Sequence, residues 1–555
     1  MCRKNVFALC FVLILLILSA CSSPSPTASS DSPIASSGDV QPTESIADIP
    51  EATATFPPAP TQTEVPPTPT ETKIPPTPTQ APVGLSRSNP FPSMENAITP
   101  NWEVKVLEMK RGEAAWSDIH AANSYNDPAP DGMEYLLIKI HVKCLYEDDE
   151  EHSISEYDFD VTGDKAVLYT PGIASVVSPK PELDATLFSG GETEGWASFI
   201  ITQGEGNLIL VIDESWDFEE GNERYVALDS GASITVPPEL FAIAPSENGR
   251  SRKSPIPFNE KLVTNDWETS TLEIVRGDAA WAMVQEVNQF NDSPKDNHEY
   301  VAVKFMVRNI GTEDVAQDIN GYFYRITGSE NILYELPSIV DPEPALDISL
   351  FPGGEYQGWV VFEYLSGETN LMLAFEETWT LEEDLRYLAL DQGASLEVPI
   401  ELQEITPSEL GSEKSNPALI SEKVITEDWE LTIVEVIRGT EAWNMVLSAN
   451  QYNDPPEDGF EYVAIKVYAH NIGTEDKATD IDSYSFNTTG SAGILHDVPS
   501  IVEPEPALSV SLYPGGEFEG WIIMQASVGE TGLILIYEPW IDFSDNNKRF
   551  LSLSN

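Results

Sequence analysis

Residues Tyr300 to Arg308 alternate, with Val301, Val303, Phe305 and Val307 on one face and Lys304 and Arg308 on the other; Leu136 to Lys143 and Val463 to His470 do the same. A period of two predicts a half-buried strand in each place. Further strand signals are Trp102 to Val106, Phe323 to Thr327, Gly358 to Phe362 and Leu371 to Phe375, each bounded by Gly, Pro, Asn or acidic residues. One stretch departs from the pattern. Trp116, Ile119 and Asn123 follow three-to-four-residue spacing, as do Trp281, Val284 and Val287, and Trp443, Val446 and Leu447. This predicts a short helix ending at an asparagine, laid across one end of a sandwich with its tryptophan plugging the core. About seven short strands for every such helix predict an all-β fold of antiparallel β-sandwiches.

The pattern occurs three times. Trp102 to Trp116 with Arg111-Gly112 returns as Trp267 to Trp281 with Arg276-Gly277 and as Trp429 to Trp443 with Arg438-Gly439. Asn123-Ser124-Tyr125-Asn126-Asp127 returns at 288–292 and 450–454, and Gly190-Gly191-Glu192 with Gly195-Trp196 returns at 353–359 and 515–521. With Trp216, Trp379 and Trp540, all 12 tryptophans fall in equivalent places. A period this long makes each copy a domain rather than a solenoid unit. The expected boundaries are 98–240, 260–402 and 423–555, with Pro237 to Glu260 and Val398 to Lys423 as linkers.

Residues 1–20 read as a secretory leader: Arg3 and Lys4 precede an apolar run, Val6 to Leu18, too short to span a membrane. The run ends in Leu18-Ser19-Ala20-Cys21, which resembles the lipobox of bacterial lipoproteins. The resemblance implies that Cys21 is acylated, becomes the mature N-terminus and anchors the chain to the membrane. Cys2 and Cys10 would leave with the leader, so Cys144 remains as one free thiol, read as a buried structural residue, and no intramolecular disulfide is expected. From 21 to 97 the chain is rich in Ser, Thr and Pro and cannot bury a core, so a disordered stalk is expected.

The order of Glu299-Tyr300, Asn309-Ile310-Gly311, Pro352-Gly353-Gly354-Glu355 and Gly358-Trp359 resembles the telokin-like domains of unknown function found in bacterial lipoproteins and exported proteins, which are similar to the immunoprotective extracellular antigen. The resemblance covers 98–236, 262–398 and 425–555. It implies three tandem immunoglobulin-like sandwiches in an extracytoplasmic, lipid-anchored protein, and implies no catalytic residues. The first copy departs from the pattern, with Ser189 for Pro352 and no Asn-Ile-Gly turn.

Composition narrows the function. Lys plus Arg number 29 against 92 Asp plus Glu, a net charge of −63, which repels phosphate backbones and excludes nucleic acid as a partner. A site used by the repeat should recur between copies, and the six histidines do not: His120 and His141 fall opposite Gln285 and Met306. No recurring triad, HExxH or P-loop spacing appears, so a cell-wall hydrolase is disfavoured and no enzyme is expected.

One acidic constellation does recur: Asp127, Asp131 and Glu134; Asp292, Asp296 and Glu299; Asp454, Asp458 and Glu461. Oxygen ligands from one loop suit Ca²⁺, while Asn-Asp and Asp-Gly are also ordinary turn formers. Arg111, Arg276 and Arg438 could clamp a carboxylate ligand or pair with a local glutamate, and the tryptophans could be core residues or a sugar platform. The expected function is non-catalytic binding or adhesion at the cell surface, to an extracellular protein or glycan. The alternative is a glycan- or solute-binding accessory protein of the envelope.

Overall fold

The computed structural model describes residues 81–171, 176–213, 223–376, 385–539 and 547–554. The leader, Cys21, the stalk to residue 80 and Trp216, Trp379 and Trp540 lie outside the described residues.

Each copy begins with a four-stranded antiparallel sheet. In the first it runs Ala97–Ile98, Trp102–Arg111, Met133–Cys144 and Glu192–Thr202, and in the second Leu262–Val263, Trp267–Arg276, His298–Asn309 and Glu355–Leu365. The third uses Val424–Ile425, Trp429–Arg438, Phe460–Asn471 and Glu517–Ser527. The alternation read from the sequence sets the register: Leu136, Ile138, Ile140 and Val142 face inward and are fully buried, as are Val301, Val303, Phe305 and Val307. Opposite them in the first copy lie Phe159–Thr162, Ile209–Ile212 and Arg224–Ala227, whose Phe159, Val161, Leu210 and Ile212 close the core. The fold is all-β, in antiparallel sandwich layers, with one ten-residue helix per copy among the described residues: α1 (Glu113–Ala122), α2 (Asp278–Val287) and α3 (Thr440–Ala449).

The helices do not sit where the sequence places them. Each packs on the outer face of the four-stranded sheet, burying Ala115 and Ile119 against Tyr135 and Leu137 rather than driving a tryptophan into the core. Trp116 stays half-buried and stacks on Tyr135 with ring centroids 5.7 Å apart. The reason is the side-chain period: odd and even residues of Met133–Cys144 are both apolar at its start, so the sheet has a second apolar face that needs a cover. Trp102, Trp267 and Trp429, at the beginning of the second strand, enter the core between the layers, and Trp196 and Trp359 are buried beneath the helices.

The expectations for the end of the stalk and for the linkers also change. Residues 81–97, read as the end of the stalk, belong to the fold: Phe91 bridges Val226 and Ala97 is fully buried. The presumed linkers are packed in the same way, with Ile256 bridging Leu388 and Ala418 bridging Leu551. In each case a short apolar residue amid polar neighbours supplies an extra edge to the second layer, a signal too brief for periodicity to detect. The described residues accordingly fall within one compact unit.

Successive copies share backbone hydrogen bonds. The second layer of copy two, Arg386–Ala389, Met372–Phe375, Tyr324–Thr327 and Ile332–Tyr334, continues into Val510–Leu512 and Thr479–Ile481 of copy three as one six-stranded sheet. Between copies one and two the same edge is joined by Leu168 N donating to Ser349 O (2.9 Å) and Phe351 N donating to Ala166 O (2.8 Å).

Candidate binding surface

A corner that recurs in each copy begins at Arg-Gly. The strand Trp102–Arg111 ends and the backbone turns into α1 through Gly112, which adopts φ 59°; Gly277 and Gly439 adopt 58° and 65°. A Cβ at Gly112 would also lie 2.9 Å from the Glu134 carboxylate, so both torsion and space call for glycine. Arg111 beside it donates to Glu134 at 2.5 Å, and Arg438 to Glu461 at 2.6 Å. In copy two Arg276 turns to Asp391 at 2.8 Å instead, and Glu299 bonds to Tyr364. The arginines thus hold the local structure.

The nine carboxylates considered for calcium are not assembled. Glu134 and Glu461 are engaged by arginine, and burial of Glu134 is outweighed by its bonds from Arg111 and the Gly204 amide, so its pKa is lowered. Asp127, Asp292 and Asp454 take part through their backbone carbonyls, which accept from the hydroxyls of Tyr135, Tyr300 and Tyr462 at 2.8, 3.0 and 3.1 Å. Asp131, Asp296 and Asp458 are exposed on the turn. Among the described residues no group of three or more His, Cys, Asp or Glu is placed to hold a metal. Cys144 is buried and packs in the core.

What the corner presents is an aromatic ring. Tyr125, Phe290 and Tyr452, which follow the helices, are 90%, 83% and 83% exposed. The loop beneath each ring is fixed. The Asn123 Oδ1 accepts from the Tyr125 amide at 3.0 Å, and Asn288 and Asn450 repeat the turn. The next residue clamps two segments: Asn126 Nδ2 donates to Ile119 O (2.9 Å) and Val177 O (3.0 Å), while its Oδ1 accepts from Val177 N (3.0 Å). Asn291 holds Val340 and Asn453 holds Val502 identically. The three valines are exposed as well, so each copy offers a ring and an aliphatic side chain on adjoining, tied loops.

A second aromatic stands nearby. Tyr157, Tyr322 and Tyr484 are exposed on a single 3₁₀ turn. In each copy a carboxylate on the turn or on the valine loop accepts a backbone N–H from the long fourth strand. In copy one it is Glu156, on the turn itself, accepting from Ser198 N at 3.1 Å; Ser178, next to Val177, also donates to it. In copies two and three the carboxylate comes from the opposite loop: Asp341 accepts from Val361 N (3.0 Å) and Glu503 from Ile523 N (3.1 Å). Burial pushes all three upward, Asp341 to about 6 and Glu503 to about 7.

In the sequence the Asn-x-aromatic-Asn-Asp segment reads as a turn; its ring, the second tyrosine and the valine are not among the residues singled out there. Their shared spacing between copies was the available signal, since a core position and a surface position can recur equally well.

Neither a known protein family nor a characterised protein matches the chain. Among solved structures, the ycdA protein of Bacillus subtilis, assigned provisionally as a lipoprotein, is similar at 14% identity over 25% of this chain and 39% of that one, with a TM-score of 0.19. An uncharacterized β-sandwich protein of Clostridium difficile is similar at 18% identity over 25% and 95% of the two chains, TM-score 0.17. The secreted protein MPT63 of Mycobacterium tuberculosis is similar at 10% identity over 25% and 99%, TM-score 0.18. The chain thus spans about two-fifths of the ycdA protein and nearly all of the other two.

Proposed function

We propose that this chain is a non-catalytic protein of the bacterial cell exterior, anchored through a lipid on Cys21, that displays three telokin-like, immunoglobulin-like repeats on a Pro/Thr-rich stalk. It binds an extracellular partner through the aromatic–valine patch on each repeat. The observation that carries this reading is the exposed ring recurring at Tyr125, Phe290 and Tyr452, on loops whose backbone is tied by the same asparagine clamp. An exposed ring on a rigid support contributes apolar contact area at little entropic cost. Three tethered copies add avidity, so the affinity of each patch can be weak.

The second reading, envelope glycan recognition, is favoured by the ring itself, because tyrosine and phenylalanine both present a face on which a pyranose can stack. Binding of the purified chain to a glycan array and to immobilised extracellular proteins separates the two. Under either reading the triple variant Tyr125→Ser, Phe290→Ser, Tyr452→Ser loses at least tenfold in apparent affinity, and each single variant loses less. Unchanged binding by the triple variant removes the patch from the function.

A further inference from the structure

The contact between successive copies has two halves, and among the described residues one uncovered example of each remains. The inserting half is a short strand followed by an aromatic residue and a Gly-Gly turn. Phe351 of copy two and Tyr513 of copy three are 2% and 1% exposed, buried against the preceding copy. Their glycines are crowded there, since a Cβ on Gly353 or Gly515 would lie 2.8 Å from Pro237 or Pro399. The receiving half is an edge strand, Val167–Leu168 in copy one and Ile332–Leu333 in copy two, where Leu168 and Leu333 are 6% and 5% exposed.

An arginine from the segment preceding each receiving copy locks the joint. The Arg87 guanidinium lies 3.7 Å from the Phe351 ring centroid and its Nε donates to Asp314 at 2.8 Å. Arg252 lies 3.7 Å from the Tyr513 centroid and donates to Asp476 at 2.7 Å.

Copy one retains an open inserting half. Phe188, in the place of Phe351 and Tyr513, is 60% exposed, nothing approaches a Cβ on Gly190, and exposed Asp149 stands where Asp314 and Asp476 stand. Copy three retains an open receiving half. Leu495, in the place of Leu168 and Leu333, is 57% exposed, and its strand pairs on one side only, with Phe486–Thr489. Ile534 and Phe550 flank it partly exposed, and exposed Lys414 occupies the arginine position.

We propose that these two faces join between chains: the Phe188 strand of one copy of this protein adds to the Leu495 edge of a second, with Lys414 over the Phe188 ring and paired with Asp149. The occupant is a second copy because the surfaces are the two halves of a joint the chain already makes twice, with apolar and charged positions in register. The contact is heterologous, so it can repeat along a row of molecules. A net charge of −63 opposes the encounter and salt screens it.

The test uses the chain from residue 21 onward carrying Cys21→Ser, so that neither the apolar leader nor an acyl group drives association, in sedimentation velocity across protein concentration at about 0.15 M and about 0.5 M salt. The expected result is concentration-dependent assembly that strengthens with salt. Phe188→Asp and Leu495→Asp each weaken it at least tenfold while leaving the thermal transition in place, both sites being exposed. Mixing the two variants restores a species that stops at the dimer, because only one intact pair of faces remains. A chain that stays monomeric throughout, assembly insensitive to both substitutions, or a mixture that yields no dimer overturns the proposal.

Discussion

Arg252 and Asp476 meet across the boundary between the second and third copies, Nε to Oδ1 at 2.7 Å, with the arginine fully buried. Asp476 also accepts from the Arg252 amide at 3.1 Å, so one carboxylate organises both the side chain and the backbone of a segment that reads as a linker. The array is therefore coupled at its joints by charge, ring contact and shared sheet.

That coupling predicts the behaviour of Arg252→Ala. The substitution removes the ring contact to Tyr513 and the bonds to Asp476 and Asn331, while the Asp476 left behind is partly exposed, a loss of about 1–3 kcal/mol. The expected outcome in chemical denaturation is a lower first midpoint and a splitting of the transition, because the third copy loses the contact that lets it unfold together with the second. A single unshifted transition would show that the ion pair is dispensable.

The recurring buried carboxylates set a pH dependence. Burial raises Asp341 to about 6 and Glu503 to about 7, above their unfolded values. Groups raised on folding bind protons more tightly in the native state, so their contribution to stability is full below about pH 4 and is lost as pH rises through 6 to 7. Glu134, whose pKa is lowered, acts in the opposite sense, its contribution vanishing as the pH falls below the ordinary carboxylate range. The pair Asp341→Asn and Glu503→Gln is expected to flatten the decline in denaturation midpoint between pH 4.5 and 7.5. A decline as steep as in the parent would assign it to other groups.

Gly277→Ala tests the corner beneath the patch. A φ of 58° strains any residue with a Cβ, and that Cβ would sit 3.1 Å from a Glu299 carboxylate oxygen. The expected cost is about 1–3 kcal/mol in thermal or chemical denaturation. Loss of partner binding out of proportion to this would follow if α2 also repositions Phe290.

His496 occupies the place that Tyr169 and Tyr334 hold in the other copies. All three side chains reach a buried glutamate: Tyr169 bonds to Glu205, Tyr334 to Glu368 at 2.5 Å, and His496 Nε2 lies 3.1 Å from Glu530. His496→Tyr should fold and remain as stable as the parent, because it installs the contact used twice elsewhere. His496→Leu, which takes a hydrogen-bond partner from a buried carboxylate, should lose about 1–3 kcal/mol in the same assay.

The legible parts of the fold were those with a local cause. Alternation in Leu136 to Lys143 placed a strand and its inward face, and Arg-Gly followed by spaced apolar residues placed a helix. The helix position was not legible, since Ala115 and Ile119 are ordinary helix residues until a sheet with two apolar faces lies beneath them. In the candidate surface, the loop around Tyr125 could be found from its spacing but its ring could not be assigned to solvent. Tyr157 and Val177 come near that loop only through Glu156, Ser178 and Asn126, contacts spanning up to 51 residues.

From the sequence alone came the threefold recurrence, the all-β character and the acidity, because each is written in composition or in spacing along the chain. Tertiary structure alone decided that the connecting segments are packed, that Arg87 and Arg252 lock the joints, and that Phe188 and Leu495 are left uncovered. The difference is physical: a strand edge or a buried charge is defined by what lies against it, and those partners stand up to 227 residues away in the chain.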